Sequence, residues 1–125
     1  MSESNPRSAS PFAFRGRLPH PKTMDKIAML TEILSQNPTD AFARYGLAMA
    51  YASENRQSEA LAEFDRIVAT TPDYVPAYQM SAQELLKAGR TDEARVRLEA
   101  GLLAAERTRN AHAASEMQAM LDDLI

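Results

Sequence analysis

Residues 44–72, RYGLAMAYASENRQSEALAEFDRIVATTP, carry a pattern that returns thirty-four residues later in 78–106, YQMSAQELLKAGRTDEARVRLEAGLLAAE. In the first stretch Arg44, Leu47, Ala48 and Tyr51 are followed by Ala60, Phe64 and Pro72. In the second, Tyr78, Ser81, Ala82 and Leu85 are followed by Ala94 and Leu98, each at the same offset. A fixed period of this size marks a repeat architecture, whose unit is a helix pair unable to bury its apolar face alone. Asn55 and Gly89 stand at one offset too, and both tolerate the left-handed conformation that stops a helix.

Working outward, Asp40 is placed to cap a first helix over Ala41–Ser53, with Phe42, Tyr45, Leu47, Ala48, Met49 and Tyr51 nearly encircling it. A helix apolar on most sides is packed on more than one face, as inside a stack. Its partner is expected over Ser58–Thr70, with Ala60, Leu61, Phe64, Ile67 and Val68 inward and Pro72 ending it. In the next unit Pro76 suits a first turn, and the helix continues to about Ala88. Thr91 is expected to cap the following helix, with Asp92 and Glu93 favourable at its N-terminal dipole end. Glu106 replaces the proline there, so this helix is free to run longer.

Upstream, Ile27, Leu30, Ile33 and Leu34 paint one helical face over Met24–Gln36, with Thr23 as cap and Pro38 as terminator. Pro38 falls on the position of Pro72, and Leu30 and Ile33 on those of Phe64 and Ile67. Residues 23–38 are therefore read as the second helix of a unit whose first helix is missing. A last helix over Ala111–Leu124 carries Ala113, Met117, Met120, Leu121 and Leu124 on one face, leaving Glu116, Gln118, Asp122 and Asp123 for a polar outer face. The two aspartates oppose the dipole at its C-terminal end, so its final turn should fray.

The chain has 125 residues, room for one domain, and no cysteine, which removes disulfides and thiolate chemistry and fits a reducing compartment. No stretch approaches the roughly 20 apolar residues that cross a bilayer. The start lacks the apolar run of a secretory signal, so a cytoplasmic location is expected. Residues 1–22 hold Pro6, Pro11, Pro19 and Pro21 with several serines, and read as a disordered tail. Met24, at the head of the helical pattern, is an alternative start. The tail carries a net +3 and the remainder −6. An acidic body repels a phosphate backbone, so nucleic acid is not an expected partner.

With these residues in place, the chain resembles the tetratricopeptide repeat family, whose signature reads W-x2-L-G-x2-Y, then A-x3-F, then P. The first unit, 41–74, matches at Leu47, Tyr51, Ala60, Phe64 and Pro72, with Ala48 for the glycine and Arg44 for the tryptophan. The second, 75–108, is more divergent. Tyr78, Ala82, Leu85 and Leu98 substitute for the signature residues, Ala94 keeps its place, and Ser81 departs at the leucine position. The resemblance implies an all-α solenoid of about six helices, a right-handed superhelix closed by a capping helix at 110–125.

It also implies a concave surface, lined by the first helix of each unit, that binds a peptide or protein segment. By position that surface is Phe42, Tyr45, Met49, Ala52 and Ser53, then Gln79, Gln83, Leu86 and Lys87. For Phe42 and Tyr45, packing against the preceding helix is the alternative role. A branch of the family clamps chaperone carboxylates with lysine, asparagine and arginine. Here Tyr45, Met49, Gln79 and Gln83 occupy those places and only Lys87 is cationic, which disfavours that use.

Catalytic and metal chemistry find little to work with. His20 lies in the tail, His112 and Glu116 share a helix face without a third ligand, and Asp122 and Asp123 point apart. The reading is thus a non-catalytic interaction module with no cofactor and no metal. Its alternative is a homo-oligomer joined through stack ends, where Met117 and Met120 could lie, or through the N-terminal tail, whose Phe12 and Phe14, flanked by arginine, could dock into the chain's own or a partner's acidic groove.

Overall fold

The computed structural model describes residues 21–124, which form six helices and no strand. These are α1 (Pro21–Gln36), α2 (Ala41–Ser53), α3 (Gln57–Thr70), α4 (Val75–Lys87), α5 (Thr91–Arg107) and α6 (Ala111–Asp122). Each helix packs on the next in chain order, and α4 also touches α6. The family's helix-pair stack is therefore present from α1 to α6. The expected tail lies outside the described residues except for Pro21 and Lys22, which open α1. Thr23 lies inside α1 and is therefore not its cap.

Three turns share one hydrogen-bond pattern. After α2 the Asn55 amide donates to the Ala52 carbonyl and the Arg56 amide to that of Tyr51. After α4, Gly89 and Arg90 donate to Leu86 and Leu85. After α5, Arg109 and Asn110 donate to Glu106 and Ala105. This paired closure needs a left-handed residue, and Asn55, Gly89 and Arg109 have φ of 60°, 76° and 57°. It also moves a boundary. Arg90 occupies the cap position and Thr91 is the first helical residue, with no side-chain cap bond. Arg56 occupies the same position before α3, and each of these cap-position arginines pairs with a carboxylate in the first turn, Arg56–Glu59 and Arg90–Glu93, with an Nε–Oε1 distance of 2.6 Å. Asp40 and Asn110 do cap by side chain, accepting from the amides of Ala43 and Ala113.

The core runs along the stack in three successive clusters. Leu30, Leu34, Ala43 and Leu47 join α1 to α2. Ala48, Ala60, Phe64, Ile67 and Ala77 join α2, α3 and α4. The third gathers Tyr78, Leu85, Leu98 and Met117, among others, from α4, α5 and α6. Alanine at 48, 60, 82 and 94 is fully buried, so the paired backbones approach closely. Ile33 is a correction. Expected inward, it is 40% exposed, because the helix that covers its equivalent Ile67 has no counterpart beside α1 among the described residues.

Polar links reinforce the register. Arg44 donates to Glu63 at 2.6 Å and to the Pro38 carbonyl at 2.8 Å. Tyr78, thirty-four residues on, donates to the Pro72 carbonyl at 2.7 Å. Both residues at the tryptophan position thus tie their helix to the carbonyl of the preceding terminator proline. Ser81 is completely buried without being orphaned. Its hydroxyl donates to the Tyr78 carbonyl and accepts from Arg97, which reaches Asp65 on α3 with its other nitrogen.

α5 is longer than α3, as the loss of the proline allows, and α6 stops at Asp122, two residues short of the expected end. α6 also starts thirty-six residues after α4, where α4 starts thirty-four after α2. In that shifted register Ala113 matches Ala43 and Ala77, and Met117 matches Leu47 and Ser81, all of them buried. α6 is by packing a third first-type helix.

Candidate functional site

Of the nine residues expected on the binding surface, Ala52 is half-buried against the second core cluster, and the other eight divide by environment. Phe42 is 77% exposed, so its packing against α1 is ruled out. Ser53 and Lys87 are also exposed, Ser53 turned onto the Ala50 carbonyl and Lys87 3.2 Å from the carboxylate of the buried Glu84. Gln83 is half-buried. Met49 and Leu86 are half-buried against the second and third core clusters, which gives both a packing role.

Tyr45 is held from two sides. Its ring meets Phe64 edge-on at 6.0 Å and Tyr74 at 5.5 Å between centroids. Burial, and then the neighbouring Tyr74, push its hydroxyl above the ordinary tyrosine pKa. Tyr74 is raised as well, first by burial and then by the Asp40 carboxylate. Gln79 is engaged too. Its amide nitrogen lies 3.1 Å from Glu116 Oε1, while His112 Nε2 lies 3.1 Å from the other oxygen of the same carboxylate.

A cavity of about 230 Å³ brings two of the eight together. α2 contributes Tyr45, and α4 contributes Val75, Pro76, Gln79 and Met80. α6 closes it with Asn110, His112, Ala113 and Glu116. Its walls are the tyrosine ring, proline, valine and methionine, and its rim is amide, imidazole and carboxylate. Phe42, Met49, Ser53, Gln83, Leu86 and Lys87 are not among its lining residues. The α6 contribution was missed because that helix reads at the standard offset as a bare cap. The two-residue shift that puts Asn110 at the cap position of Asp40 was the available signal.

A larger depression, about 340 Å³, lies between α3 and α5 on Leu61, Leu85 and Val96. Its charges are already matched, Arg90 with Glu93 and Arg97 with Asp65. Among the described residues no three histidines, cysteines or carboxylates gather as a metal site would require. None of the described helices is long and apolar enough to cross a membrane.

This stack has solved counterparts. The tetratricopeptide repeat model matches residues 27–85. A solution NMR structure of a tetratricopeptide repeat domain protein from Salinibacter ruber is 32% identical, covering 70% of this chain and 88% of that one, with a TM-score of 0.67. The chain belongs to the tetratricopeptide repeat family. A crystal structure of a tetratricopeptide repeat domain protein from the same organism, also 32% identical, covers 68% of this chain and 94% of that one with a TM-score of 0.64. A comparison with curated proteins gives no match. Tetratricopeptide repeats generally mediate protein–protein interaction and generally do so without catalysis.

Proposed function

We propose that this repeat protein is a non-catalytic adaptor that receives a segment of another protein on the face formed by α2, α4 and α6. The observation that carries the reading is the cavity shared by these three helices. An apolar floor with a polar rim suits one buried anchor side chain, while the rim groups set the register of the bound backbone. Phe42 and Gln83 extend the same face beyond the cavity, and Phe42 supplies exposed aromatic area where a partner would gain most. The matched charges of the depression between α3 and α5 offer a ligand much less.

The packing of Tyr45 shapes the test. Truncating Tyr45 would remove ring contacts to Phe64 and Tyr74, so loss of binding would be confounded with damage to the fold. Phe42→Ala with Gln79→Ala is the cleaner variant, with Val96→Ala and Leu103→Ala on exposed positions of α5 as the control. Affinity capture from native cells should lose a protein partner with the first pair and keep it with the second. Both pairs retaining the same partner, at unchanged helicity, would contradict the reading.

A further inference from the structure

α1 is a second-type helix without its first. In the complete unit Ile67 is fully buried against Ala48, Ala60 and Phe64. Its equivalent Ile33 is 40% exposed, and Met29, one turn earlier on α1, is 55% exposed. The other two second-type helices, α3 and α5, each pack between two first-type helices, whereas among the described residues α1 packs closely on α2 alone. The stack therefore carries an apolar strip along one side of α1, where a preceding helix would lie.

The chain itself holds a segment suited to that strip. Residues 1–20 run directly into α1 and contain Phe12, Phe14 and Leu18. They cannot restore a regular unit. Pro11 interrupts a helix there, and Phe14 falls on the position where the other units have the small Ala48 and Ala82. An irregular cover is free of that restriction. Reach is ample. Ile33 lies twelve residues along α1 from Pro21, about 18 Å at a rise of ~1.5 Å per residue. Seven residues of extended chain, from Phe14 to Pro21, span about 23 Å at ~3.3 Å each. Charge favours the same placement. Arg7, Arg15 and Arg17 outnumber Glu3 in the segment, the remainder of the chain is net acidic, and Glu32 is exposed on α1 between Met29 and Ile33.

We propose that residues 1–20 fold back along the open side of α1, with Phe12 and Phe14 seated on Met29 and Ile33, and so close the N-terminal end of the stack. The segment acts as an intramolecular cap, and the end it closes is not available to a second copy.

The chain has no cysteine, so Ala13→Cys in the full-length protein gives one site for a nitroxide label. The side-chain methyl signals of Met29 and Ile33 should lose most of their intensity, with those of Val96 and Leu103 unchanged. Adding Phe12→Ser and Phe14→Ser should restore the lost intensity. Undiminished Met29 and Ile33 signals would overturn the proposal, and so would broadening that survives the serine substitutions. A mixed sample, with the spin label on one copy and the isotope label on another, should show no broadening. Broadening there would mean that a second copy, and not the chain's own segment, covers the strip.

Discussion

Gly101 shows how tightly a single position can be determined by its neighbours. It stands where the first unit has Ile67, and a Cβ built on it would lie 2.5 Å from Met117 Sδ and 2.7 Å from Tyr78 Cβ. The isoleucine volume of the first unit is supplied in the second by Met117 arriving from α6. Gly101→Ala should therefore lower stability through overpacking of about 1–3 kcal/mol, outweighing a helix-propensity gain of about 1 kcal/mol. Gly46→Ala is its contrast. The nearest atom there is a terminal methyl, Leu30 Cδ1 at 3.3 Å, which a side-chain shift of a few tenths of an ångström accommodates, so chemical denaturation should show no loss and up to about 1 kcal/mol of gain. Tyr45 and Tyr74 give a second test. Their folded pKa values lie above the ordinary 10.0, so the stability that they contribute is complete below that value. It is lost as pH rises through the folded pKa. Thermal unfolding should show the melting temperature falling on the alkaline side of pH 10, and less steeply in Tyr45→Phe.

At the level of the element, the sequence was legible wherever local chemistry decides. Asp40, Asn55, Gly89 and Pro72 act through the backbone of their own turn, and the boundaries of α2 and α3 follow from them within a residue. Thr91 misled because the paired turn closure puts the boundary at Arg90, whatever the capping preference of threonine. Ile33 misled because its burial depends on a neighbouring helix and not on its own periodicity. Ser81 was unreadable alone, since the Arg97 that satisfies it comes from a different helix. The role of α6 was hidden by two extra residues in α5 and its turn. If α6 is a third first-type helix and not an ornament, ending the chain after Arg109 removes Met117 from the third core cluster. Hydrogen exchange should then accelerate across α4 and α5 by more than about tenfold while α2 and α3 change little, as neighbour-only coupling requires. Equal acceleration in all helices would show a single cooperative core.

For the whole molecule, the repeat made the architecture readable before any contact was seen, because one period fixes where every helix pair begins. The proposed binding face was only half readable. The position-by-position transfer named Tyr45 and Gln79, which do line the shared cavity, but it also named Leu86 and Met49, which serve the core as well. What it lacked was the α6 side of the cavity, with His112 and Glu116, since a wall shared by three helices exists only after the stack is assembled. The resulting account is of a short stack whose first-type helices present one continuous face to a partner. The most direct test places a photo-crosslinking residue at Phe42 in one variant and at Val96 in another, both expressed in native cells. The account predicts a discrete adduct with a different protein from Phe42 and none from Val96. An adduct of Phe42 with a second copy of this chain, or identical adducts from both positions, would contradict it.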